Sequence, residues 1–139
     1  MRCIPLRLEP GSDLRSSLEA AASAAGGMPA FVVCGIGSLS QTRLRLAGAA
    51  SETAVAGDVE ILTLSGTLTT DGAHLHMAVA DAHGRVLGGH VCRGNLVRTT
   101  AEVLLLPLPT GTLAREQDPR TGSKELVARP GPRGFERGA

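Results

Sequence analysis

Apolar and polar positions alternate from the start of the chain. Ile4, Leu6 and Leu8 fall on one side and Cys3 and Pro5 on the other, which is the period of a half-buried strand. After Pro10-Gly11 the period lengthens. Leu14, Leu18, Ala21, Ala22 and Ala25 recur at helical spacing, Ser12 or Asp13 can cap the first turn, and Gly26-Gly27 stops it. From Pro29 the pattern is β-like: a short apolar strand, Ala30 to Cys34, closes in the glycine-rich turn Gly35-Ile36-Gly37-Ser38. Over Thr42 to Leu46, Leu44 and Leu46 point inward while Arg43 and Arg45 face water or a partner. Gly48 to Gly57 reads as a loop, Val59 to Thr69 as a strand, and Asp71-Gly72 as a turn. Strands His74 to Ala80 and Val86 to Cys92 follow, then the apolar run Ala101 to Leu108. A last hairpin, Leu113 to Gln117 with Lys124 to Ala128, turns at Asp118 to Gly122.

Strands in hairpin order with one early helix predict an α+β domain with a mainly antiparallel, curled sheet. Residues 1–129 form that single domain and 130–139 a flexible tail. The strands that start at 59 and near 101 are too apolar for one-sided surface strands, so further burial by curling or by subunit contact is expected.

Composition narrows the picture. At 139 residues, 42% apolar and 19% charged, the chain should fold as one compact unit, with a core of aliphatic side chains because Trp and Tyr are absent. A net charge of +1 lacks the surplus that drives binding to DNA phosphates, and the missing aromatics remove stacking platforms for single strands. Three cysteines without a C-x-x-C pair suit free thiols in a reducing compartment. No apolar run reaches the roughly 20 residues that span a bilayer, and no signal peptide is evident, so a cytoplasmic protein is expected.

The candidate chemistry is concentrated. All four histidines, His74, His76, His83 and His90, lie in one 17-residue window. Residues two apart on a strand share a face, so His74 and His76 project together. If Ala82, His83 and Gly84 form a three-residue loop with Gly84 left-handed, His76 falls opposite His90 and His74 opposite Cys92. Cross-strand Cβ atoms about 4.5–5.5 Å apart allow three imidazoles to converge on one ion. Three nitrogens plus water is the open coordination of a catalytic zinc; a structural ion would take a fourth ligand, for which Cys92, Glu60 or Glu102 compete. Glu60 and Glu102, at strand starts, are candidates for acid–base work beside a metal, with partial exposure at a strand end the plainer reading. Arg93, Arg98 and Asn95 can form a polar rim or simply a solvated loop. Gly35 to Ser38 reads as a strand turn rather than a nucleotide site.

Gly35-Ile36-Gly37-Ser38-Leu39, Gly57-Asp58-Val59-Glu60-Ile61-Leu62-Thr63-Leu64-Ser65-Gly66, His74-Leu75-His76, Gly88-Gly89-His90-Val91 and Asp118-Pro119-Arg120-Thr121-Gly122, in this order and spacing, resemble the plant and prokaryote conserved (PPC) domain over about residues 2–128. The resemblance implies an antiparallel sheet with flanking helices, a homotrimer, and a fold similar to acetolactate decarboxylase, whose zinc is held by three histidines; the matching positions are His74, His76 and His90. Plant members are nuclear DNA-binding proteins that carry AT-hooks, and bacterial stand-alone members take a DNA-binding label from them. Here the plant pattern Gly-Arg-Phe-Glu-Ile-Leu is replaced by Gly57-Asp58-Val59-Glu60-Ile61-Leu62, and no Arg-Gly-Arg-Pro core occurs. Any DNA contact is therefore expected to be weak or indirect. Two functions follow as expectations: a trimeric, transcription-associated protein acting through protein partners, or a small zinc-dependent enzyme, decarboxylase- or lyase-like, acting on a small carbonyl acid. Imidazoles suit zinc, iron, nickel and copper alike, so zinc rests on the resemblance and the three-nitrogen geometry.

Overall fold

The computed structural model describes residues 2–130. Strand β1 (Ile4–Leu8) leads into helix α1 (Leu14–Ala24), followed by β2 (Ala30–Arg45), β3 (Thr53–Val55), β4 (Val59–Thr69), β5 (Gly72–Asp81), β6 (Val86–Val91), β7 (Leu96–Pro107), β8 (Leu113–Asp118) and β9 (Ser123–Ala128). Seven strands form one antiparallel sheet in the order β1-β7-β2-β4-β5-β6, with β3 beside β2, and β8-β9 form a separate hairpin. This is the α+β architecture with one helix that the pattern predicts. The expected 130–139 tail lies, apart from Pro130, outside the described residues.

The helix starts where its cap allows. Asp13 rather than Ser12 is the N-cap: its carboxylate accepts from Ser16 N at 2.8 Å and also from Gly94 N at 2.5 Å, tying the helix to the turn before β7. Leu14 and Leu18 are fully buried against the inner face of the sheet, with Leu44, Leu64, Leu68, Leu75, Val79 and Leu105. Burying a side chain of this size is worth about 1.5–3 kcal/mol.

Four readings from the sequence are corrected. The segment Gly35 to Ser38 is not a turn, because β2 runs unbroken through it. Register shifts between Val32/Cys34, Gly37/Leu39 and Leu39/Gln41 bend the strand, and bulges do that without ending it. The Gly48 to Gly57 loop contains β3, paired with β2 at Thr42↔Val55. Glu102 sits in the middle of β7, not at its start. Asn95 is fully buried: its amide accepts from Arg43 N and donates to Arg43 O and Cys92 O, so it fastens the β6–β7 turn to β2 and belongs to no solvated rim.

The expected curl is present. β6 pairs with β5 and also with the far end of β2, at Leu44↔Val91 and Arg45↔His90, so that β2, β4, β5 and β6 close on one another. Gly89 permits it: a Cβ there would stand 2.8 Å from Arg45 O. Among the described residues no helix is long and apolar enough to cross a membrane.

Candidate metal centre

The β5–β6 hairpin builds the centre from its loop outward. Gly84 is left-handed (φ +75°), Gly84 N donates to Asp81 O, and Asp81 N donates to Arg85 O. The Asp81 carboxylate accepts from His83 N and Arg85 N, which locks the three-residue loop. That loop sets Ala80↔Val86 and, four pairs further on, His76↔His90. The pleat does the rest. Ala73, Leu75, Met77 and Val79 enter the core, so His74 and His76 stand on the outer face beside Thr67 and Ser65 of β4.

The three rings converge, with centroids 5.1 Å (His74–His76), 5.3 Å (His74–His90) and 5.6 Å (His76–His90) apart, and one nitrogen from each lies within 4.8 Å of the others. His74 Nε2 and His76 Nε2 are 3.2 Å apart. Two nitrogens on one tetrahedral ion with bonds of about 2.0–2.1 Å would be separated by roughly 3.4 Å. Burial, then Arg45 and the neighbouring imidazoles, pushes the His90 pKa down to about 4. Burial and then Arg115 and His76 lower that of His74. Both rings are thus held neutral near pH 7, the form that ligates metals. His90 Nδ1 is buried with no hydrogen-bond partner. Converging, neutral and partly unsatisfied imidazoles fit a divalent metal.

The other expected participants lie elsewhere. Pairing of β5 with β6 stops at His76↔His90, because β6 turns to β2 and Cys92 N bonds to Arg43 O; His74 is not opposite Cys92, and Cys92 does not join the group. Glu60 pairs with Ala80, four residues along β5 from His76, about 13 Å at strand rise. Glu102 lines a shallow apolar hollow of about 570 Å³ with Cys34, Ile36 and Leu104, across the β1-β7-β2 part of the sheet. Neither carboxylate is brought to the histidines. His83 is exposed in its turn, as expected.

The sequence reading missed the β8–β9 hairpin as part of the site. Arg115 N donates to the Asp71 carboxylate and Lys124 lies 4.0 Å from it, so the hairpin docks over the β4–β5 turn. Arg115 Nη2 then reaches His74 Nδ1 at 2.5 Å and Nη1 reaches Lys124 O at 3.0 Å. Two hollows flank this contact. One, of about 400 Å³, includes His74, His76, Arg115 and Glu125; the other, of about 310 Å³, includes Arg45, His74, His90, Arg115, Lys124 and Glu125.

With this geometry established, comparison with known proteins places the chain. The family profile of the Plants and Prokaryotes Conserved (PCC) domain matches residues 1–109. The chain belongs to the PCC domain family. Among curated relatives, the bifunctional protein GlmU of two Synechococcus strains is 45% and 47% identical over 94% and 91% of this chain. The chain spans only 21% and 20% of those proteins' length. Among solved structures, a hypothetical protein from Salmonella enterica superposes on this PCC domain with a TM-score of 0.87, at 38% identity, covering 92% of this chain and 93% of that one. A metal-containing protein from Archaeoglobus fulgidus gives 0.79 at 25% identity, covering 91% and 94%. A candidate DNA-binding protein from Bacteroides thetaiotaomicron gives 0.79, covering 91% of each chain; at 18% identity it shows the fold alone.

Proposed function

We propose that this PCC-domain chain is a homotrimeric metal-binding protein in which His74, His76 and His90 hold one zinc ion. The observation that carries the reading is the convergence of three ring nitrogens, two of them 3.2 Å apart, on an outer sheet face. The metal-containing description of the Archaeoglobus relative supports it. Zinc in such a set supplies a Lewis acid or an activated water. The rest falls to the chain's own residues. His76 and His90 are fixed by hairpin register, and Glu125 is the carboxylate that lines both hollows and stands ready to hold a proton beside them. Assembly is supported by the apolar outer face of the sheet, where Val33 is 49% and Ile36 58% exposed beside Phe31 and Leu62. Three free cysteines suit a reducing, cytoplasmic setting.

Two uses of this assembly remain distinct. One is an association role through protein partners, with DNA contact weak or indirect, in keeping with a net charge of only +1. A zinc-dependent decarboxylase- or lyase-like reaction on a small carbonyl acid is favoured by the open three-nitrogen set beside two hollows. Elemental analysis of the purified protein and its His76→Ala variant tests the centre: about one zinc per chain, lost in the folded variant, is expected. No zinc in either after loading overturns it. Light scattering tests the trimer, and a monomer at micromolar concentration would exclude it.

A further inference from the structure

We propose that Arg45 and Arg115, with Lys124, form a subsite for a small oxyanion, a carboxylate or a phosphate, beside the three histidines. The proposal deepens the metal-centre reading and rests on it for the ligand's second anchor. Apart from Arg2 near the chain start, the other described arginines each have a carboxylate partner, among them Arg15 and Arg93 on Glu19, Arg43 on Glu52 and Arg98 on Asp58. Arg45 and Arg115 make no ion pair among the described residues, and both line the hollow that holds His74 and His90. Arg115 is moreover unsatisfied, with Nε buried and lacking an acceptor. Two guanidiniums without carboxylate partners, lining one hollow, match the paired oxygens of a carboxylate or phosphate.

Arg115 has only hydrogens to give, so His74 Nδ1 accepts from it, and the contact holds the guanidinium at the wall of the hollow. One carboxylate, Glu125, opposes three cationic side chains there, and Lys124 already lies 4.0 Å from Asp71. The hairpin that supplies Arg115, Lys124 and Glu125 follows the 1–109 family match, so this wall is an addition to the part of the domain that the family profile matches.

Calorimetric titration of malonate and of methyl phosphate into zinc-loaded and metal-free protein tests the subsite, with zinc per chain measured on each sample. At least one probe is expected to bind the loaded protein, and the stronger one names the oxyanion. Compared at equal zinc per chain, Arg45→Gln and Arg115→Gln should each weaken it about tenfold, while Glu125→Gln should strengthen it. Equal affinity in both arginine variants, or no binding to loaded wild type, overturns the proposal. If wild type holds no zinc, the metal reading falls separately, and the metal-free titration decides: arginine-dependent binding upholds the subsite and no binding removes it. Circular dichroism checks each variant; should Arg115→Gln misfold, the exposed Arg45 carries the test alone.

Discussion

The two faces of β5 contrast sharply. On the inner face, Leu75 is fully buried and Met77 and Val79 nearly so. On the outer face, one residue out of step, His74 and His76 meet His90, Arg115 and two hollows. The same backbone holds both, so the packed core positions histidines that lie outside it. A pleat thereby separates the residues that make the fold from those that make the site.

That separation is best attacked from the inside. Leu75→Ala should cost about 2–5 kcal/mol, read as a fall in the urea midpoint at unchanged slope. Asn95→Ala, which leaves the Arg43 N–H and two carbonyls without partners in the interior, should cost about 1–3 kcal/mol by the same measurement. Asp13→Ala should cost about 0.5–2 kcal/mol through the lost helix cap. Burial alone would raise the Asp13 carboxyl, but Ser16, Gly94 and Arg93 together hold it below its usual value. Its contribution is therefore complete above the unfolded pKa of about 3.9 and lost as pH falls through the lower folded value. Melts of wild type and variant should accordingly converge in strong acid and stay apart near neutrality. The smallest effect on stability belongs to the outer face: His76→Ala should move it by no more than about 0.5 kcal/mol while abolishing metal uptake. A large loss of stability in metal-free His76→Ala protein would break the comparison, because the outer face would then be structural too.

The His76–His90 register was legible because it depends on local chemistry alone: a capping Asp81, three loop residues and a left-handed Gly84. The helix and the β8–β9 hairpin were legible for the same reason, each carrying its own stop or turn residues. What escaped depends on distant partners. Nothing in Gly35 to Ser38 says that β7, more than sixty residues later, will hold those glycines in a bent strand. Asn95 looks like loop polarity until Arg43 and Cys92 surround it. Glu60 and Glu102 were attractive as carboxylates on apolar strands, yet a face is long enough to keep them from the histidines. Glu125 and Arg115 were passed over because turn residues reveal a hairpin but not what that hairpin covers.

The sheet also sets a timetable. Ile4 pairs with Leu105, and the middle of β2 pairs with β7 on one side and β4 on the other. On a ribosome releasing the chain from its N-terminus, β1 has no partner until nearly all of the sheet has emerged. The β5–β6 hairpin that presents the histidines can close microseconds after it appears. The pairing of β1 with β7 must bring together segments about a hundred residues apart, the kind of distant contact that slows folding to milliseconds or longer. The histidine-bearing hairpin is therefore among the first parts of the molecule able to form, and the sheet that supports it is completed only when β7 has joined β1.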